Sequence, residues 1–228
     1  MFESIYKSAW HNPVFFVLAN AIVLSALALS WRRRPPFVRA WALVFAIEIM
    51  LDATLTGEAS PIARRPGLMQ AAAISFVILG DWRWYLAVDR YARGAAPPRS
   101  SAKLLAESFA WSMLVPLAST GWIRLWPTVF RDSRRIFLSY EIAMLLLSVT
   151  WGSARLRRAR HEAGPAIARW MRALIVFEVC TYALWVVADL VILSGRDAGY
   201  LVRLVPNTMY YAAFVPFVVW SAPREATA

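Results

Sequence analysis

Seven carboxylates, Glu48, Asp52, Asp81, Glu107, Glu141, Glu178 and Asp189, interrupt stretches of sequence that are otherwise apolar. In apolar surroundings an isolated carboxylate takes up a proton, whereas one beside a guanidinium stays ionised. Groups of this kind suit proton exchange, cation binding, or acid–base catalysis by an unlike pair. Glu48 and Asp52 are four residues apart and share a helix face, and Glu178 and Asp189, eleven apart, share another. On the last apolar stretch Arg203, Asn207, Tyr210 and Tyr211 fall on one stripe at i, i+4, i+7 and i+8.

The apolar stretches are long enough to cross a bilayer. The chain has 228 residues, is 60% hydrophobic, carries 12 Trp and is only 17% charged, where a soluble domain is about 25% charged. A hydrocarbon core of about 30 Å needs roughly 20 apolar residues at 1.5 Å rise. Seven segments approach that length, 14–31, 37–55, 67–87, 104–125, 136–151, 171–193 and 200–220, and Pro and Gly mark the joins at Pro35-Pro36, Pro61, Pro66-Gly67, Gly94 to Pro98, Pro127, Gly164-Pro165 and Gly195. The pattern predicts an all-α polytopic membrane protein, one domain over 1–228, folded as a compact bundle of seven transmembrane helices.

Lys and Arg are unevenly shared between alternate loops. Arg32, Arg33, Arg34, Arg39, Arg90, Arg93, Arg99, Lys103, Arg155, Arg157, Arg158, Arg160, Arg169, Arg172 and Arg224 make fifteen on one side, against nine on the other: Lys7, Arg64, Arg65, Arg124, Arg131, Arg134, Arg135, Arg196 and Arg203. Positive charge stays in the cytoplasm, which puts the N-terminus outside, the C-terminus inside, and the chain in a bacterial cytoplasmic (inner) membrane. Ala26-Leu27-Ala28 has the small-x-small form of a cleavage site, but the basic run follows the first span instead of preceding it, as in a retained helix. The net charge of +11 gathers at helix ends, where it meets anionic lipid headgroups, and not on a soluble basic and aromatic face of the kind that binds nucleic acid. The segment 155–161 extends the fifth helix and is expected to lie against those headgroups.

Heights above the cytoplasmic boundary follow from the helical rise. Asp52, Glu141 and Asn207 come out at about 21–22 Å, Asp189 and Arg203 at about 27 Å, Glu48 at about 16 Å, and Asp81 and Glu178 at about 9–10 Å. The first five form an outer tier with Arg203 as its strong cation, expected to hold one of Asp52, Glu141 or Asp189 charged. Arg83 and Arg90 are placed to do the same for Asp81, Asp89 and Glu178. Glu107 falls at the interface.

Other chemistries lack their residues. His11 and His161 lie outside the spans on opposite sides, which leaves no metal, haem or histidine-triad site, and no cofactor is implied. The single Cys180 excludes an internal disulfide. A retinal Schiff base needs a lysine in the last helix, and the lysines are Lys7 and Lys103.

Asp89-Arg90-Tyr91, with Asn20, Asp52, Trp111 and Pro206-Asn207, resembles the pattern of rhodopsin-like G-protein-coupled receptors, which would imply a seven-helix sensor. The chain departs from that family in having no outer Cys pair, Pro-Asn in place of Asn-Pro, and short loops. Gly80-Asp81, Ala188-Asp189 and Tyr210-Tyr211 resemble, in order and context, the lysoplasmalogenase-type membrane enzymes. That likeness implies hydrolysis of a lipid-derived substrate by paired aspartates, although the histidine expected after the Gly-Asp motif is missing and seven spans replace eight. Neither family is adopted.

The residues point first to binding or transport of a proton, a cation or a small amine-bearing solute. Asp52, Glu141 and Asp189 are the expected outer ligands with Arg203 and Asn207, and Glu48, Asp81 and Glu178 the inner steps. As an enzyme the chain would use Asp52 with Asp189, and less readily Asp81, as acid and base. The partners expected are the bilayer, its anionic headgroups and a small solute or lipid ligand.

Overall fold

A computed structural model describes residues 1–57, 59–92 and 101–223; Arg93, Gly94 to Pro98, Arg99 and Arg224 lie outside the described residues. The described residues are all-α. A short α1 (Phe2–Tyr6) and a π turn lead into α2 (Phe16–Ser30), followed by α3 (Pro36–Thr56), α4 (Pro66–Tyr91) and α5 (Ser101–Leu125). After these come α6 (Ser133–Glu162), α7 (Pro165–Leu193) and a last rod made of α8 (Ala198–Thr208), a π turn (Met209–Ala213) and α9 (Phe214–Ser221). Pro at the first position starts α3, α4 and α7, where its missing N–H costs nothing. Asp132 caps α6 by accepting from the Arg134 N–H at 2.8 Å. Gly164, at φ 85°, makes the left-handed step between α6 and α7.

Neighbours in sequence pack as neighbours in space from α2 round to α8, and the last rod closes back on α2 and α3. Asn20 donates to the Tyr211 carbonyl at 2.8 Å across that closure, and the Trp41 and Phe214 rings meet at 5.9 Å. Small residues let helices approach: a Cβ on Gly152 of α6 would meet Ile175 of α7 at 3.2 Å, and one on Gly199 of α8 would meet the Ala188 carbonyl at 2.8 Å. The chain's N-terminus lies at the end of the bundle that also holds the α3–α4, α5–α6 and α7–α8 joins. The opposite end is tied by Asp89 to Arg155 at 2.8 Å and by Trp170 to Ser221 at 3.0 Å.

An apolar core around Phe45, Trp84, Met144 and Phe214 encloses a minority of charged groups, while large apolar side chains also cover the outside. Leu18, Ile22, Leu51, Leu117, Leu146 and Leu190 are exposed, while Glu48, Asp81, Arg83, Glu178 and Asp189 are buried. Among the described residues, four helical stretches are long and apolar enough to cross a membrane: Trp10–Arg33, Pro66–Tyr91, Ser133–Glu162 and Pro165–Leu193. Among the other expected spans, α3 carries Arg39, Glu48 and Asp52, α5 is polar at both ends, and the last rod is divided by its π turn.

Candidate functional site

The interior site begins where α4 turns inward, from Gly80 on. Asp81 is fully buried and accepts hydroxyl hydrogen bonds from three helices at once: Tyr140 of α6, Tyr182 of α7 at 2.6 Å and Tyr210 of the π turn at 3.2 Å. Tyr210 reaches it because residue 80 is glycine; a Cβ there would run into the Tyr210 hydroxyl, with the ring carbon Cζ only 3.1 Å away. Arg83 braces the same tyrosine. Its Nη2 donates to the Tyr210 carbonyl at 2.8 Å, its guanidinium lies 3.8 Å from the ring centre, and its Nη1 stands 3.9 Å from Glu48. Glu178 is buried nearby on α7, and its Oε1 has no hydrogen-bond partner among the described residues.

A second cluster sits nearer the N-terminal end. Arg203 pairs through Nη1 with Asp189 and, at 3.0 Å, with Glu141, while its Nε donates to the Tyr6 hydroxyl at 3.1 Å. Arg134, at the start of α6, adds a contact to Asp189 at 3.2 Å. Asp52 stays out of this group and accepts from Thr56 one turn away at 2.7 Å. Asn207 accepts from the Trp185 indole at 2.8 Å.

Two cavities join these groups. A pocket of about 150 Å³ at the N-terminal end is lined by Tyr6, Lys7, His11, Thr56, Gly57 and Asn207. A smaller one, of about 80 Å³, carries Tyr140, Tyr182 and Tyr210 from the Asp81 cluster together with Glu141 and Arg203 from the other. Two hydrogen bonds cross between them: Arg203 donates to Tyr6, and Trp185 donates to Asn207. Among the described residues no three His, Cys, Asp or Glu side chains converge as a metal site requires.

Above the pocket, α1 is fastened to the α7–α8 join. Asp197 accepts from the N-terminal amine at 2.9 Å and from the Phe2 and Glu3 N–H groups at 2.8 and 2.9 Å, which hold its carboxyl below the usual range. Lys7, then Tyr200, likewise lower the Glu3 carboxyl.

The expected outer group is thus divided. Glu141, Asp189 and Arg203 touch; Asn207 and Asp52 stand beside them, and Asp52 and Asp189 share no partner among the described residues. Arg203 pairs with two carboxylates where one was expected. Asp89 takes Arg155 as its partner, and Glu107 is partly buried near the start of α5. α4 continues to Tyr91 and leaves ten residues beyond Asp81, where the expected span 67–87 leaves six. Tyr182, the partner of Asp81, is seven residues from Asp189 on α7, about 10 Å of helix.

Sequence reasoning missed Arg134 and the tyrosines 140 and 182. Arg134 was counted as a loop charge, and a tyrosine in an apolar span reads as packing until its hydroxyl has a partner. Tyr140, beside Glu141, and Tyr182, one turn from Glu178, were the available signals. No family model, curated protein or solved structure matches the chain.

Proposed function

We propose that the chain is an integral membrane protein of seven spans that binds and moves a proton, a cation or a small amine-bearing solute. The supporting observation is the continuity of polar groups from the N-terminal pocket, through Asp52, Asn207 and the Glu141–Arg203–Asp189 cluster, to Asp81 in the middle of the bundle. Apart from Asp89, which pairs with Arg155, the buried carboxylates among the described residues are Glu48, Asp52, Asp81, Glu141, Glu178 and Asp189, and three guanidinium groups stand against these six: Arg83, Arg134 and Arg203. Three negative charges are therefore left for protons or a bound cation, because burying an unpaired charge is prohibitive.

Cavity size favours a small ligand. At roughly 30 Å³ per water, the inner cavity of about 80 Å³ holds two or three, whereas a drug-sized ligand takes about 300–1,000 Å³. A lysoplasmalogen-like lipid, the substrate of the enzymatic reading, is far larger than either cavity. The arginine count puts the N-terminus outside and the C-terminus in the cytoplasm of a bacterial inner membrane, with the arginine-rich end facing anionic headgroups.

Purified protein in liposomes loaded with a pH-sensitive dye provides the test. A gradient of methylammonium or potassium should shift lumenal pH relative to empty liposomes, and Asp81→Asn should remove the shift. No dye response under any imposed proton, potassium or methylammonium gradient would refute the reading.

A further inference from the structure

The inner cavity's walls indicate which cation it takes. Five of its nine lining residues are Tyr140, Tyr182, Trp185, Tyr210 and Tyr211, and Phe137, about half exposed, stands where it meets the outside of the bundle. The rings pack in succession: Tyr182 edge to face with Trp185 at 5.2 Å, Trp185 tilted against Tyr210 at 5.0 Å, and Tyr210 edge to face with Tyr211 at 4.9 Å. Aromatic faces attract cations that carry their charge on apolar surface, whereas a bare inorganic cation or ammonium needs oxygen ligands to replace its water.

The carboxylate in this wall is not fully used. Glu141 is 3% exposed, and while Oε1 pairs with Arg203, Oε2 has no hydrogen-bond partner among the described residues. Arg203 in turn is occupied by Glu141 and Asp189, with Arg134 on Asp189, so the two guanidinium groups and the two carboxylates balance. Asp81, behind the hydroxyls of Tyr140, Tyr182 and Tyr210, then leaves the cavity with negative charge. The same hydroxyls give a polar floor to a box whose sides are aromatic.

On the reading that this site binds a cation, we infer that its ligand is a small methylated ammonium, held with its methyl groups against Trp185 and Tyr182 and an N–H toward Glu141 Oε2. The volume of about 80 Å³ suits an ion of two or three heavy atoms, such as methylammonium or dimethylammonium.

Calorimetric titration of the purified full chain with dimethylammonium, ammonium and potassium chlorides tests the selectivity. Dimethylammonium should bind at least tenfold tighter than ammonium or potassium. Trp185→Leu should weaken it about tenfold and leave ammonium nearly unchanged, while Trp185→Phe, which keeps a ring face but not the bond to Asn207, should retain most of the preference. Equal affinity for dimethylammonium and potassium would overturn the inference and leave the cation-transport reading standing. Loss of preference in Trp185→Phe as severe as in Trp185→Leu would overturn it too, since the indole bond to Asn207 would then be responsible. Absence of binding by all three ions, with no dye response in liposomes, would overturn both.

Discussion

Arg83 holds Tyr210 at two points, with its guanidinium 3.8 Å from the ring centre and Nη2 on the tyrosine's own carbonyl at 2.8 Å. That carbonyl is open to a side chain because the last rod passes through a π turn. Asn20 of α2 takes the next carbonyl, that of Tyr211. Two distant helices therefore stabilise one irregular turn, and the turn delivers the Tyr210 hydroxyl to Asp81.

Removing Arg83 breaks both restraints and leaves Glu48 with its charge unmet. Breaking a buried pair from one side costs about 3–5 kcal/mol. Arg83→Met should lower the thermal unfolding midpoint in detergent, and adding Glu48→Gln should recover part of the loss. A double variant no more stable than the single one would show that the Glu48 pairing at 3.9 Å contributes nothing.

Gly80→Ala tests the Asp81 triad without touching a polar atom. The added methyl meets the Tyr210 hydroxyl, and Arg83 prevents the ring from retreating. Losing one hydrogen bond to a charged group costs about 1.5–3 kcal/mol, a loss of roughly ten- to a hundredfold in ligand affinity. Calorimetry reads the affinity, and Tyr210→Phe should reproduce the effect in a chain that keeps Gly80.

The helices and their order were legible because Pro, Gly and basic residues punctuate apolar runs at bilayer spacing, as at Pro35-Pro36 and Gly164-Pro165. The stripe Arg203, Asn207, Tyr210 and Tyr211 was legible from its period, which the π turn then displaces within the rod. The partners were not. Whether Asp52 or Glu141 meets Arg203 depends on the rotation of α3 against α6, and apolar residues all round a buried helix carry no record of rotation. The end of α4 was not legible, because hydropathy ends a span where charge begins, whereas α4 continues through Asp89 and Arg90 to Tyr91.

Arg203 should be the most sensitive position in the N-terminal cluster. Arg203→Ala leaves Glu141 and Asp189 buried beside only Arg134, and a cost of about 3–5 kcal/mol follows. Glu141→Gln with Asp189→Asn in the same chain removes the stranded charges and should restore expression and monodispersity in gel filtration. Failure of the triple variant to recover would assign Arg203 a packing role against Tyr6 and Phe137.

The fastening of α1 should loosen in acid. Asp197, held below the usual range, adds stability that is fully present above its unfolded value of about 3.9 and is lost as pH falls through the lower folded value. A fluorophore on Ser4→Cys in a Cys180→Ser background should remain immobile down to about pH 4 and gain mobility below it. Asp197→Asn should free the segment at every pH. Mobility unchanged by Asp197→Asn would mean that Tyr6 and Tyr200 hold α1 alone.

Seven spans and four spans make opposite predictions at two joins. If only the four most apolar stretches cross, α3 and α5 stay on the side where they begin, so residues near Ala63 lie inside and those near Ser101 outside. If all seven cross, Ala63 is outside and Ser101 inside. Thr128 and Arg196 fall outside, and Arg33 and His161 inside, under either arrangement, which makes them controls. Single cysteines at these exposed positions, in a Cys180→Ser background, can be treated on intact cells with a membrane-impermeant maleimide. Seven spans with the N-terminus outside require Ala63→Cys to react at once and Ser101→Cys to react only after permeabilisation. The reverse result would leave α3, with Glu48 and Asp52, as a helix that enters the bundle without crossing it, and Asp52 would lose its place on any path between the two faces.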